Sequence, residues 1–564
     1  MNIPHAGHWA KSKKATRRER VMRLQNAASR IVKTVEGMMQ RRDFLRTGVA
    51  AVLASSDFSL AQTRSGLAPT FTTHNADWQR VYDRALEVLA ANVMVMPPHP
   101  YGRFDGPVLI EGAEYAGMWL ECGPLESLVY QHWNREAARN NHLTFFALQR
   151  PDGQFPSNNK KTEAGYGQIQ MVVPVGATAW ELADATGDDE LLDKAYDACA
   201  RWDAWLAKYR NTRGTGLCEG FCTYDTGHDN SPRWKGIPNR CPDSDAKRFP
   251  PGLGLPRLCP DLSATVYGGR IALGKMARAL GKSGEAARWD ESAETMRKLI
   301  VDKLYVPEDG AFYDLDADNK FVKVRGDLIS RVCGEHVVSQ AEFANIWTKQ
   351  LHNPAAFWST YPLPSIAMDD ATFVRPIPRN SWGGASQALT ALRAPRWMEH
   401  YGKTVELGQM MEAWAKALIA DGTFRQQCDP MTGVFTDGGS KGYSPAALVL
   451  VDYTWRLAGV RETAEGLEWN VRPGVWASDG ARFSVATKAG SAEMVYDGEG
   501  ARLRLGGRLV ATVVGRGRIV TDRLGKRWEV VGTDEREQTV KIMRPGKRVA
   551  MVKIRANERT RIPA

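Results

Sequence analysis

LLDKAYDACARWDAWLAKY (Leu191–Tyr209) decides what kind of fold this chain builds. Leu192, Ala195, Cys199, Trp202 and Leu206 recur at spacings of three and four, so they share one side of a 3.6-residue helix. The pattern returns in DLSATVYGGRIALGKMARALGK (Asp261–Lys282) through Leu262, Val266, Leu273, Met276 and Leu280, with Gly281 placed to end the helix. VELGQMMEAWAKALIADG (Val405–Gly422) repeats it through Leu407, Met411, Trp414 and Leu418 and closes at Gly422. In YSPAALVLVDYTWRLAG (Tyr443–Gly459), Ser444 is expected as the N-cap and Pro445 at the first helical position. Between about residues 75 and 460 such helices come in pairs, joined by long loops rich in Gly, Pro, Asp and aromatic residues. Paired helices over so long a stretch predict a helical toroid rather than a bundle, with the stripes as its core.

Past about residue 465 the texture changes. Apolar and polar residues alternate, as in Arg502-Leu503-Arg504-Leu505, and Asp497-Gly498 and Gly506-Gly507 punctuate them. The expectation is a mainly α domain over 62–462, followed by a small C-terminal all-β sandwich over 463–564. The β part holds no acidic or histidine cluster and is read as structural.

The 564 residues are 43% hydrophobic and 25% charged, ordinary globular proportions with room for one large core and a second domain. The net charge of +11 misleads if taken as uniform. Residues 1–61 carry 12 of the 75 Lys/Arg and 4 of the 64 Asp/Glu, so the remainder has a surplus of only +3. Nothing there calls for a nucleic-acid partner.

The basic leader has its own logic. MQRRDFLRTGVAAVLASSDFSLAQ (Met39–Gln62) pairs Arg41 with Arg42, follows them with a short apolar run, and offers a small-x-small site at Ser59-Leu60-Ala61. It resembles a twin-arginine export signal over 39–61, which implies a periplasmic or secreted protein. The apolar run is too short and too polar to anchor the chain in a membrane. Residues 1–38 are an odd prelude to such a signal and read as a non-native, disordered upstream extension, with translation starting at Met38 or Met39.

Eight cysteines are present, four of them clustered at Cys218, Cys222, Cys241 and Cys259. In an exported chain this cluster is where disulfides are expected, although the pairing is not legible. Without a CxxC pair or matching histidines, a zinc site is the weaker alternative, and no metal is expected.

Four loops carry candidate chemistry: EGAEYAGMWLECGP (Glu111–Pro124) with LQRPDGQFPS (Leu148–Ser157) beyond it, GYGQIQMVVPV (Gly165–Val175), YDTGHDNSPRW (Tyr224–Trp234), and FRQQCDPMTGVFTDGGSKGYSP (Phe424–Pro445). Each mixes aromatic rings, which stack on sugar faces, with amides and carboxylates, which bind hydroxyls. Trp119, Trp234 and Trp382 are candidate sugar platforms. Tyr115, Gln170, Arg233, Asn380, Gln426 and Gln427 are candidate hydroxyl contacts. No Gly-rich phosphate cradle follows a strand, so no cofactor is expected; the partner is a carbohydrate, and the oligomeric state is not legible.

The order of these segments resembles the six-hairpin (α/α)6-barrel glycoside hydrolases, in particular the trehalase-like and glucosidase I-like group. GHDNSPRW is similar to that group's Gly-x-Asp-x-Ser-x-Arg-Trp loop, EYAGMWLE to its aromatic-Trp-Asp loop with Glu121 in place of Asp, and CPDLSA to its Val-Asp-Leu-Asn-Ala helix start. NSWGGASQALTALRAPRWMEHYG resembles its Trp-rich segment, and DPMTGVF with GYSPAALVL its final loop and helix. The resemblance covers about residues 100–460. It implies an inverting hydrolase of O-glycosidic bonds with Asp229 as general acid, and a second carboxyl about 6.5–9.5 Å away to leave room for water. A buried setting would keep Asp229 protonated near neutrality.

One position departs from the group. The Glu that activates water is replaced by Gln426, and an amide cannot take a proton. Glu121 and Asp429 are the candidate replacements, with Glu111, Glu114 and Asp437 in the same loops. Asp229 in Asp-Asn-Ser-Pro also reads as support for a helix start capped by Ser231. Glu219 and Asp225 read as solvated or bound to Arg233, and Glu399 and His400 as structural. Two rival functions remain: a toroid-fold lyase or sugar epimerase using His228, His336, Tyr166 or Tyr224 as base, and an inactive sugar-binding homologue.

Overall fold

The computed structural model describes residues 68–562 apart from 100, 101 and 437–440. The export-signal segment, the extension before it and Asp437 lie outside the described residues. The α-helices run, in chain order, α1 (Ala76–Ala91), α2 (Gly123–Tyr130), α3 (Arg135–Ala147), α4 (Val175–Thr186), α5 (Asp189–Tyr209), α6 (Pro260–Ala279), α7 (Ser283–Leu304), α8 (Leu328–Gly334), α9 (Gln340–Ile346), α10 (Ala388–His400), α11 (Thr404–Asp421) and α12 (Ser444–Ala458).

The even-numbered helices close a ring. Each of α2, α4, α6, α8, α10 and α12 touches the next, and α12 returns to α2. Odd-numbered helices pack outside: α3 on α2, α5 on α4, α7 on α6, α11 on α10 and α12, and α1 on α12. This arrangement fits the toroid expected from the paired stripes.

The stripes explain the layers. In α5, Asp188 caps the N-terminus by accepting from the Leu191 N–H (2.9 Å), and Ala195, Cys199, Trp202 and Leu206 are buried. In the inner helix α6 burial spreads well beyond one stripe, and Gly281 follows the helix end at φ 74°. Every residue of α12 is buried, its two charged residues Asp452 and Arg456 paired with one another (2.7 Å). Its start departs from expectation. Tyr443 takes the N-cap position, and the Ser444 hydroxyl instead donates to the Ile110 carbonyl (2.8 Å) and accepts from Asn92 (2.8 Å).

The C-terminal part forms two antiparallel sheets. A seven-stranded sheet runs Thr70–Thr72, Arg482–Thr487, Gly490–Asp497, Gly500–Leu505, Arg508–Val514, Gln538–Met543 and Ala550–Ile554. A five-stranded sheet runs Val460–Thr463, Gly466–Val471, Gly517–Thr521, Trp528–Val531 and Arg559–Ile562. The C-terminal run of strands thus begins at Val460, and the segment before α1 pairs with Arg482–Thr487 rather than with the helices. Glu399, at the end of α10, receives Arg456 of α12 (2.7 Å) and Arg461 of the strand Val460–Thr463 (3.1 Å), with Arg518 3.4 Å away. These guanidiniums hold its buried carboxyl well below the usual range, against burial, and tie ring to sheets. Among the described residues no helix is long and apolar enough to cross a membrane.

Candidate active site

The segments that lead into the inner helices meet at one end of the ring. Glu121 precedes α2, Gln170 precedes α4, Asp261 lies in the first turn of α6, Asp327 stands at the N-cap position of α8, Gln387 precedes α10 and Tyr443 precedes α12. Glu121 is hydrogen-bonded to Gln170, and Tyr443 donates its hydroxyl to Glu111 (2.7 Å). Helix N-termini favour negative charge, and this end is rich in carboxyls.

The loop that carries Asp229 is mounted by Arg233. Its guanidinium takes Asp261 on one side (2.8 and 2.7 Å) and Asp314 on the other (2.7 and 2.6 Å), all of them buried. Nη1 also lies 3.1 Å from His228 Nδ1. A guanidinium only donates, so Nδ1 is the acceptor and the His228 proton sits on Nε2, facing Asp327 Oδ1 at 2.5 Å. Burial lowers the His228 pKa to about 4, so the ring is neutral near pH 7. Ser231 caps the short 3-10 turn Pro232–Trp234 by accepting from the Arg233 N–H (3.3 Å). The cap and the Asp229 loop are one object.

Asp229 emerges from this mount. Its carbonyl accepts the Trp382 N–H (2.9 Å), and its carboxyl accepts from Asn380 Nδ2 (3.2 Å). Burial raises its pKa to about 6, against the Asn380 hydrogen bond. Glu121 lies nearby. Its carboxyl is pushed up to about 7, first by burial and then by the charge of Asp229, while Arg331 of α8, Arg393 of α10 and the Gln170 hydrogen bond oppose the rise. Glu111 is raised to about 8 by burial and by Glu121. Glu126 is wholly buried with neither oxygen hydrogen-bonded, and burial raises it strongly.

Gln426 stands one amide away from Asp229. The Tyr115 hydroxyl donates to Gln426 Oε1 (2.8 Å), and Gln426 Nε2 is 3.5 Å from Asn380 Oδ1, whose own amide nitrogen holds Asp229. Tyr115 and Trp119, both half-buried, meet edge to face at 5.4 Å. Asp229, Glu121, Gln170, Tyr115, Trp119, Gln426 and Asn380 are thus brought together.

Other sequence candidates sit elsewhere. Asp429 staples a turn: Oδ1 accepts the N–H groups of Met431 (2.8 Å) and Thr432 (3.1 Å), and Oδ2 lies 3.3 Å from Arg375. Gln427 has its amide filled by Ser381, Gln387, Pro378 and Thr436. Arg233 has no donor left for a ligand, since its guanidinium is enclosed by two carboxylates and a histidine. Trp234 is buried under Arg233 and Arg257, with Nε1 donating to Thr226 (2.8 Å). Trp382 is buried between His228 and Arg331. Neither ring is a platform, because neither presents a face to a ligand.

Glu219 caps the backbone at Thr212 and Arg213, and Asp225 pairs with Arg210, so neither is solvated nor bound to Arg233. Glu114 pairs with Arg379 at the exposed rim. The candidate bases for lyase chemistry are also engaged: Tyr166 donates to the Leu148 carbonyl (2.6 Å), His336 Nε2 meets the Arg396 carbonyl (3.2 Å), and Tyr224 accepts from Asn239 (3.1 Å). Arg331 and Arg393 were missed in the sequence, since a helical arginine looks like any surface cation until its burial is seen.

Comparison with known proteins bears on the family and the fold. The mannosylglycerate hydrolase MGH1-like glycoside hydrolase domain matches residues 118–446, more than half of the chain. No curated protein matches the sequence. Among solved structures, the chain is similar to a GH63 mannosylglycerate hydrolase from Thermus thermophilus in complex with glucose, at 18% identity and TM-score 0.52, covering 66% of this chain and 99% of that one. Neutral trehalase Nth1 from Saccharomyces cerevisiae follows at 14% identity and TM-score 0.50, covering 65% and 80%. A GH78 family rhamnosidase of Bacillus sp. GL1 aligns at 12% identity and TM-score 0.51, covering 78% and 42%. At such identities these three share the fold, and the family match over residues 118–446 carries the assignment: the chain belongs to the mannosylglycerate hydrolase MGH1-like glycoside hydrolase family and is a glycoside hydrolase.

Proposed function

We propose that the chain is an exported, inverting glycoside hydrolase in which Asp229 protonates the leaving oxygen and Glu121 deprotonates the attacking water. The observation that carries this reading is the charge of buried Asp229 acting on the buried Glu121 carboxyl, at a place where Gln426 holds the expected base position. Two carboxyls that repel one another titrate as a pair, so one is ionised while the other keeps its proton. Arg331 and Arg393 stand on the Glu121 side, each with a buried donor lacking a hydrogen-bond partner among the described residues. Glu121 also sits just ahead of the α2 N-terminus. Both features favour charge on Glu121 without cancelling the effect of burial: in the free protein Glu121 stands at about 7 and Asp229 at about 6, so the proposed roles require bound substrate to move the proton to Asp229.

Tyr115 and Trp119 form the sugar-facing surface in this reading, and the two C-terminal sheets act as a supporting sandwich. The names of the matching family and of the Thermus thermophilus neighbour make mannosylglycerate the first substrate to try, with trehalose second. The test is proton NMR of the first-formed sugar. The reading expects the anomer opposite to that of the substrate, and Asp229→Asn should slow release by about 10²–10⁴-fold. Retention of configuration, or unchanged turnover in that variant, would overturn it.

A further inference from the structure

Cys222 and Cys241 stand at the two ends of the loop that carries Asp229. Their Sγ atoms are 3.7 Å apart, packed with Phe221 and Phe249, and both side chains are buried. Neither thiol has a part in the hydrolytic reading. Asp225 lies beside them, and two thiols with a carboxylate at such distances are the shape of a partial metal site. The carboxylate, however, is already filled. It receives Arg210 (3.1 Å at one oxygen) and the N–H groups of Ile169 (2.9 Å), Phe221 (2.7 Å) and Cys222 (3.2 Å). The guanidinium also lies 3.8 Å from Cys241 Sγ, bringing a positive charge to the place a cation would take. Two thiols alone are too few for a structural zinc ion.

The other pair in this stretch is arranged differently. Cys218 and Cys259 share a backbone hydrogen bond (3.1 Å), but the Cys259 sulfur faces the Arg257 carbonyl (3.6 Å).

We propose that Cys222 and Cys241 join as a disulfide in the mature protein, closing the acid-bearing loop between them. Sulfurs in van der Waals contact need only small side-chain rotations to bond. The oxidant is a low-molecular-weight or protein disulfide such as oxidised glutathione. One cysteine thiolate attacks its S–S bond, forming a mixed disulfide and releasing one glutathione thiolate, which takes up the proton lost by that cysteine. The second cysteine thiolate then attacks the protein sulfur of the mixed disulfide and expels the second glutathione, which takes the second proton. Two protein thiols are oxidised and one glutathione disulfide becomes two glutathiones. Because both sulfurs are buried, the exchange awaits local opening. The cross-link restricts the unfolded loop, so its expected effect is to stabilise the mount of Asp229.

The test uses the full chain, incubated with oxidised glutathione in urea below the unfolding transition, then denatured in iodoacetamide without reductant and digested with trypsin. The expected result is one linked peptide pair joining Cys222 to Cys241, two hydrogens lighter than the reduced peptides, with the other six cysteines alkylated. Alkylation of both Cys222 and Cys241 would overturn the proposal, as would stoichiometric zinc in the untreated protein. A second measurement compares the oxidised protein with the double variant Cys222→Ser/Cys241→Ser. The variant should melt several degrees lower, and reductant should bring the two together. A gap that survives reduction would mean that the sulfurs only pack, and would also overturn the disulfide. None of these readouts requires hydrolytic activity.

Discussion

The Oε2 atom of Glu121 lies in the space that the first side-chain carbon at Gly227 would occupy. Gly227 also has φ 62°, a conformation that an L side chain strains to adopt. One glycine therefore lets the Glu121 carboxyl approach the loop two residues ahead of Asp229. Gly227→Ala should displace Glu121 and cut turnover by at least about tenfold, with a loss of about 1–3 kcal/mol in stability. Steady-state kinetics beside urea unfolding check both parts; a variant with normal turnover would show that Glu121 need not lie there.

Arg233 bears on folding rather than on sugar binding. Arg233→Ala leaves Asp261 and Asp314 facing one another without their shared cation. Removing one partner from a buried ion pair costs about 3–5 kcal/mol, and urea denaturation should report a loss of that order. If the variant keeps its midpoint and loses only substrate affinity, the mount described above is wrong.

Much of this was legible before any coordinate. The stripe Leu192-Ala195-Cys199-Trp202-Leu206 specified a helix because burial follows the 3.6-residue period, and the succession of such stripes implied paired helices around a ring. Asp229 was singled out by the resemblance of GHDNSPRW to a family loop and by its neighbours Arg233 and Trp234, although both turned out to be buried in the mount of that loop rather than turned to a ligand. What stayed hidden depends on chain crossings. Nothing local tells that Arg233 spans to Asp314, that Arg331 and Arg393 converge on Glu121, or that Ser444 abandons its helix for Ile110. Asp429 misled for a similar reason: an Asp ahead of Pro-Met-Thr-Gly reads alike as catalytic or as a turn staple until its backbone donors are seen.

Glu111 links pH to stability. Its carboxyl is raised from 4.5 to about 8, chiefly by burial, so the folded protein holds this proton more tightly than the unfolded chain. The stabilisation is complete below the unfolded value and is lost as pH rises toward 8. Thermal melts should fall across that window in the wild type. Glu111→Gln, which keeps an acceptor for the Tyr443 hydroxyl, should flatten the fall; an equally steep fall would assign the pH dependence elsewhere.

Gln426→Glu restores a carboxyl one amide away from Asp229. A like charge at that distance raises the pKa of the acid, so the alkaline limb of kcat/KM against pH should move up by about one unit. An unmoved limb would mean that Asp229 is not the group titrating there.

The most direct test of the acid–base pair is kcat of Glu121→Gln on the substrate the wild type hydrolyses, with circular dichroism confirming the fold. The account predicts a fall of about 10²–10⁴-fold with KM little changed, because the amide keeps the Gln170 contact but takes no proton from water. Turnover within a few-fold of wild type would contradict it.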